Sequence, residues 1–305
     1  MQQERIAKVS NVQLQGQRGS TSGPWPNVFI VGAAKAGTTS LHTYLQQHPQ
    51  IYMSPVKEPH FFYSNDLYAR RFDESSYLAL FEGATEELLR GESSALYLCD
   101  PAVPGRISRV SPDAKIIIML RDPVQRVFSH YLMDDYHGKH THSFLEVLQM
   151  SPPPGFDGPY NIYVELGRYC QQVSRYLDVF GENVLVMFYE EFFADVRTHL
   201  RDVFRFLGVD EEYANAVDVS PQNSYQGKLN ALGRAAFRAY RSHLVRAIGK
   251  RLAPLPAREQ IKRSVLKKHK PRIDPEAARF LAGAYGGQAE CLSRILGRDV
   301  PWELR

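Results

Sequence analysis

The chain has 305 residues, is 44% hydrophobic and 23% charged, and carries a net charge of only +4, the make-up of an ordinary soluble globular protein with room for one large α/β domain or two smaller ones. Its strongest apolar run, Ile116 to Leu120, is far too short to cross a membrane, and Met1 to Gly23 lacks the apolar stretch of a signal peptide. Three widely spaced cysteines, Cys99, Cys170 and Cys291, suit buried thiols in a reducing compartment better than a disulfide frame or a metal site.

In chain order, residues 1–26 read as a flexible arm rich in Gln, Ser, Gly and Pro. Val28-Phe29-Ile30-Val31 is a short buried strand. A turn of small residues follows, then a helix expected from Gly37 to Gln47 that stops at His48-Pro49. Ile51-Tyr52-Met53 is a strand candidate, 73–90 read as helical, Gly91 to Tyr97 as strand-to-loop, and Pro101 to Val110 as helix. Lys115 to Leu120 is the clearest strand, and its unbroken apolar run implies burial on both faces of a parallel sheet. Asp122 and Pro123 then make a good helix cap and first helical residue. Residues 151–160 form a loop and 163–180 a helix. Val184 to Phe188 is another buried strand, followed by a helix to Leu207-Gly208. Residues 229, 232, 236, 240, 244, 248 and 252 form the apolar stripe of a basic helix, 275–296 a last helix, and Trp302 packs near the end. Strands alternating with helices predict an α/β fold with a doubly wound parallel sheet.

Charge is unevenly spread. From Gln222 to Arg272 there are 14 Lys/Arg against one acid, Glu259, leaving 23 basic against 32 acidic residues elsewhere. Such a segment suits an anionic partner or the solvated face of surface helices.

Three clusters carry chemistry. The strand, turn and helix start at 28–41 have the layout of a phosphate-binding loop, in which glycines admit a close anion and the helix end faces it. The usual nucleotide-hydrolase loop needs Lys directly after the second glycine, whereas here Thr38 stands there and Lys35 lies inside the turn. Lys35 can reach a bridging oxygen while the 37–39 backbone and the Thr38 and Thr39 hydroxyls hold the phosphate. Arg121 closes a central strand at its carboxyl end, where α/β sheets place ligands, and Ser129 lies two turns into the next helix; both can converge on a second phosphate. Glu58 sits between Lys57 and His60 with Phe61 and Phe62 beside it, a setting for a general base. His60 is the rival base.

Lys35-Ala36-Gly37-Thr38-Thr39-Ser40-Leu41, Lys57-Glu58-Pro59-His60-Phe61-Phe62, Gly91-Glu92-Ser93-Ser94 and Leu120-Arg121-Asp122-Pro123 with Arg126, Ser129 and Tyr131 together resemble the sulfotransferases that use PAPS (3′-phosphoadenosine 5′-phosphosulfate). The resemblance is nearest the branch of the heparan sulfate glucosaminyl sulfotransferases and their bacterial relatives. It covers about residues 27–302, including the tail Leu296 to Trp302. It implies a P-loop-like doubly wound parallel sheet flanked by helices, with 27–305 as a single sulfotransferase domain and 222–272 as a basic helical or lid segment.

The resemblance also assigns roles. Lys35, Ala36, Gly37, Thr38, Thr39 and Ser40 inherit the 5′-phosphosulfate, Arg121 and Ser129 the 3′-phosphate, and Glu58 the part of catalytic base. Gly167-Arg168-Tyr169 resembles the stretch lining the adenosine pocket, and Lys228 after Gly227 is the candidate for a late basic loop that closes over the cofactor. No metal is called for, because the leaving group is already a stabilised phosphate. The implied reaction is in-line transfer of a sulfuryl group from PAPS to a hydroxyl or amine of a small-molecule, lipid or carbohydrate acceptor. An acidic carrier protein is a compatible partner for the basic segment.

This chain departs from the heparan branch in three ways. Ser93-Ser94-Ala95 stands where those enzymes often have Lys-Thr-Pro, no cysteine between Cys170 and Cys291 can close a late loop, and a membrane anchor is absent. A cytoplasmic bacterial enzyme is therefore expected. The rival readings are a P-loop kinase, which needs lysine at position 38 and an acidic Mg²⁺ site, and a non-catalytic protein that binds anions or nucleic acid through 222–272. That segment has no recognised nucleic-acid motif.

Overall fold

The computed structural model describes residues 25–63, 72–84, 89–137, 139, 142–150, 162–220 and 271–302, together with the backbone of 228–229 and 266–267. Five strands form one parallel sheet: β1 (Val28–Gly32), β2 (Ile51–Met53), β3 (Leu89–Ser93), β4 (Lys115–Leu120) and β5 (Val184–Phe188), in the order β2-β3-β1-β4-β5. Val28 is in register with both Gly91 and Lys115, so β1 is the middle strand. The chain leaves β1 toward one edge and returns past it to β4, which opens a crevice at the carboxyl ends of β1, β3 and β4. This is the P-loop-like doubly wound sheet expected. Ile116, Ile117, Ile118, Met119 and Leu120 are all fully buried, each worth about 1.5–3 kcal/mol of transfer free energy.

Helices cover both faces: α1 (Thr38–Leu45), α2 (Glu74–Leu78), α3 (Val103–Val110), α4 (Pro123–Tyr136), α5 (Phe144–Gln149), α6 (Ile162–Glu165), α7 (Tyr169–Phe180), α8 (Tyr189–Ala194), α9 (Val196–Leu207), α10 (Pro275–Ala284) and α11 (Gln288–Leu296). In α9 the buried residues are Leu200, Val203, Phe204 and Leu207, one helical stripe, with Asp195 capping the start and left-handed Gly208 ending the helix.

Several expected elements differ. The helix over 73–90 is a single turn plus a short 3₁₀ segment, Ala79–Phe81, and β3 has already begun at Leu89. β3 carries Arg90, Gly91, Glu92 and Ser93, buried polar residues that hide a strand from a hydropathy reading. The helix over 163–180 is broken at Gly167-Arg168, and that over 275–296 at Tyr285 to Gly287. Trp25, assigned to the arm, packs its ring on Phe61, Phe62 and Tyr77 at 5.9, 6.1 and 6.0 Å. The arm before it, the loop expected at 151–160 and residues 230–252 of the expected amphipathic helix lie outside the described residues, and Leu229, where that helix was expected to begin, is in a strand.

The cysteine reading is corrected. Cys170 in α7 and Cys291 in α11 form a disulfide, with Cα atoms 5.9 Å apart and 121 residues of separation, a spacing within the usual range for the bond. Sequence distance concealed this pair. Cys99 is a free thiol, and burial pushes it up to about 11.

Candidate active site

The loop from Ala33 to Gly37 bends sharply from β1 into α1. Lys35 has φ 69 and Gly37 φ 91, left-handed backbone that a side chain at Gly37 would strain. Space forbids one as well: a Cβ there would lie 2.6 Å from Phe193 Cε2. Gly37→Ala is expected to destabilise the protein by about 1–3 kcal/mol, the scale of one forced backbone conformation, measured as a lowered urea midpoint. An unchanged midpoint would show that the loop yields freely.

No side chain caps α1 and no acid lies in its first turn. Asp73, Asp122, Ser143, Asp195 and Asp274 cap α2, α4, α5, α9 and α10, while α3, α7, α8 and α11 share with α1 the lack of a side-chain cap; α1 differs in opening directly out of the turn that carries Lys35. The N–H groups of α1 are therefore left for an anion. Thr38 and Ser40 are buried at this helix start, and Thr39 is half-buried.

Two cations converge beside the loop. Arg121 donates from Nη1 to the Lys35 carbonyl at 3.1 Å, and its guanidinium lies over the Tyr189 ring, 4.4 Å from the centroid. Its Nε is buried without a partner. Lys35 Nζ is 3.3 Å from the Met133 sulfur. Among the described residues no carboxylate lies within ion-pair distance of either cation. Burial, and then the Arg121 charge, lower the Lys35 pKa; Asp134 and Glu58 act in the opposite sense. Two positive groups held together, with no carboxylate of the described residues in ion-pair distance, form a site for a polyanion.

Asp122 does not neutralise Arg121. It caps α4 by accepting from Gln125 N at 3.0 Å, and its own N–H donates to Glu190 at 3.1 Å. Ser129 is half-buried on α4. Behind Lys35, Asp134 accepts from Tyr163 at 2.6 Å and pairs with Lys139 at 2.7 Å, with His130 3.7 Å away. Burial, aided by Arg126, depresses His130 to about 3, so it stays neutral there at ordinary pH.

Glu58 and His60 lie on the loop after β2. Both have positive φ, 59 and 54. Glu58 pairs with Lys57 at 2.7 Å and has His60 Nε2 at 3.6 Å. Burial works to raise its pKa, but the His60 ring and the Lys57 ammonium outweigh it and hold it at about 2. The Glu58 side chain remains 43% exposed, whereas that of His60 is only 7% exposed. Glu58 thus presents its carboxylate to incoming molecules, and His60 braces it from behind.

Tyr169, the candidate for the adenosine pocket, is fully buried at the start of α7, its ring set edge-on to Trp302 at 6.4 Å. Lys228 lies on a two-residue strand, β6 (Lys228–Leu229), paired antiparallel with β7 (Leu266–Lys267); its side chain lies outside the described residues. An open cavity of about 340 Å³ is lined by Gln125 and Phe128 of α4 and by Pro271, Arg272 and Ile273.

The sequence reading missed Tyr189 and Asp134, and it quoted Glu92 in a motif without giving it a role. Tyr189 had a signal: it directly follows β5, the strand beside β4, at the same carboxyl end of the sheet as Arg121. Glu92 is fully buried, accepts three hydroxyls and is raised to about 7, because burial outweighs those hydrogen bonds. Its ordinary value is 4.5, so the folded state holds a proton that the unfolded state releases. Stability is expected to be full below pH 4.5 and to fall by about 3 kcal/mol as pH rises to about 7. Comparing urea unfolding of wild type and Glu92→Gln across that window checks this; identical slopes would contradict it.

A family model described as "Sulfotransferase family" matches residues 26–213. The chain belongs to the sulfotransferase family. The crystal structure of a sulfotransferase from Alicyclobacillus acidocaldarius is 33% identical, with a TM-score of 0.68 over 91% of this chain and 98% of that one. Mouse carbohydrate sulfotransferase 15 is 27% identical over 249 residues, 60% of this chain and 44% of that protein. Mouse bifunctional heparan sulfate N-deacetylase/N-sulfotransferase 4 is 28% identical over 302 residues, 92% of this chain and 31% of that protein. This sulfotransferase therefore spans less than half the length of these curated relatives. Among the described residues no helix is long and apolar enough to cross a membrane.

Proposed function

We propose that this sulfotransferase takes PAPS as donor and moves its sulfuryl group to a hydroxyl or amine of a carbohydrate. The observation that carries the donor half is the pairing of Lys35 and Arg121 at an uncapped helix start, with no carboxylate among the described residues within ion-pair distance of either. When bound, PAPS supplies the sulfuryl group and a phosphate leaving group. Lys35 and the backbone of 37–39, with the Thr38, Thr39 and Ser40 hydroxyls, hold the phosphosulfate end. Arg121 and Ser129 hold the 3′-phosphate, with the guanidinium kept in plane by Tyr189. Glu58 orients the acceptor and takes its proton, and His60 holds the carboxylate in place. The Lys35 charge is placed to favour negative charge growing on the bridging oxygen.

The carbohydrate acceptor rests on the similarity to a carbohydrate sulfotransferase and to a heparan sulfate N-sulfotransferase. A lipid, a small molecule and an acidic carrier protein at the basic segment are its alternatives. The Cys170–Cys291 disulfide favours an oxidising compartment over the cytoplasm expected from the cysteine count. The test is release of adenosine 3′,5′-bisphosphate from PAPS with a panel of oligosaccharides, amino sugars, phenols and lipid alcohols. Turnover confined to sugars supports the reading, turnover confined to phenols or lipids overturns the acceptor, and turnover with none overturns both.

A further inference from the structure

Glu92 touches neither donor nor acceptor, since it is fully buried under the base loop. Its Oε1 accepts from Tyr77 at 2.7 Å and from Tyr97 at 3.0 Å, and its Oε2 accepts from Ser94 at 2.9 Å. A hydroxyl has one hydrogen. Tyr97 and Ser94 direct theirs at Glu92, which leaves their lone pairs to accept. Both do so from the base loop: Phe62 N–H donates to Tyr97 at 3.0 Å and His60 N–H donates to Ser94 at 3.2 Å. The Glu58 N–H completes the set by donating to the Ser93 carbonyl at 2.8 Å. The loop so held carries the positive φ angles of Glu58 and His60, conformations that persist only where the surroundings over-determine them.

We propose that Glu92 is the positioning residue of the base loop: as a buried carboxylate it fixes which way the Ser94 and Tyr97 hydroxyls point, and through them it holds Glu58 and His60 at the reacting centre. This rests on the proposed reading of Glu58 and His60 as the base and its brace. The role requires the ionised, acceptor-only carboxylate, which Glu92 becomes as pH rises through about 7, so the variants are compared at a pH well above neutrality. A glutamine can donate its N–H₂ to either hydroxyl and let that hydroxyl turn its hydrogen toward the loop N–H, donor against donor. The donor side is independent, because Lys35 and Arg121 stand on the β1–α1 loop and at the end of β4. Tyr77 supplies the control: it donates to Glu92, while the loop N–H groups of His60 and Phe62 are held by Ser94 and Tyr97.

The experiment measures kcat and calorimetric affinity for adenosine 3′,5′-bisphosphate in Glu92→Gln, Tyr77→Phe and Glu58→Gln. Glu92→Gln is expected to lose on the order of 10²-fold in kcat, the cost of a misplacement near 1 Å, with bisphosphate affinity retained. Tyr77→Phe is expected to stay close to wild type in both. Full kcat in folded Glu92→Gln overturns the proposal, as does an equal loss in Tyr77→Phe, which would make the cluster merely structural. Should Glu92→Gln fail to fold, Ser94→Ala and Tyr97→Phe each remove one tether; a lowered kcat with retained affinity supports the proposal, and full kcat in both overturns it. Full activity in Glu58→Gln beside a loss in Glu92→Gln would overturn the base reading alone and leave Glu92 as the residue that positions His60.

Discussion

Replacement of Lys35 by alanine is expected to slow sulfuryl transfer by about 10²–10³-fold, roughly 3 kcal/mol in the barrier, the scale of one lost preorganised donor. Its ammonium is held inside the phosphate-binding turn by a left-handed backbone and approaches the Met133 sulfur at 3.3 Å. Burial lowers its pKa, so its charge acts where water screens it little. No carboxylate among the described residues competes for it within ion-pair distance. Single-turnover measurement at saturating PAPS separates the effect from weakened binding. Wild-type turnover in Lys35→Ala would remove Lys35 from the reaction and leave Arg121 and the α1 N–H groups to carry the donor alone.

Glu58→Gln is expected to cost roughly 10²–10⁴-fold in kcat, the usual size of general-base effects, with bisphosphate affinity unchanged. The carboxylate is partly open to incoming molecules and braced by Lys57 and His60. Those partners keep it at about 2, so it is ionised at any working pH and its own titration sets no acid limb near neutrality. The same pairing weakens it as a base. Its proton-accepting work therefore belongs late in the transfer, when the acceptor oxygen is already bonding to sulfur and its proton has become acidic. Measured kcat against pH in wild type and Glu58→Gln checks this. Full activity in the variant would pass the base role to His60 or show that the acceptor needs none.

Much of the site was legible because its signals are local. The turn around Lys35 and Gly37 announces itself by small residues between an apolar run and a helix start. Arg121 is marked by closing the strongest apolar strand, and Glu58 by its setting between Lys57, His60 and two phenylalanines. What escaped depends on three-dimensional neighbours. The start of β3 escaped, Leu89 and Arg90 reading as the end of a helix, and its Arg90, Glu92 and Ser93 are polar yet buried. Their partners, Tyr77 and Tyr97 among them, stand on other segments, and no periodicity reveals that. The Cys170–Cys291 pair spans 121 residues, so spacing was silent about it. The burial of Tyr169 against Trp302 is likewise a contact between distant segments that the motif at 167–169 does not state.

The most direct measurement is calorimetric binding of adenosine 3′,5′-bisphosphate, compared with Mg·ATP and AMP, to wild type and Arg121→Ala. If Lys35 and Arg121 divide two phosphates between them, the bisphosphate binds best, and Arg121→Ala weakens it by about 10–100-fold, as expected for one charged hydrogen-bonding partner worth roughly 1.5–3 kcal/mol. Equal or tighter binding of Mg·ATP, or an unchanged bisphosphate affinity in Arg121→Ala, would contradict the assignment of this crevice to the donor.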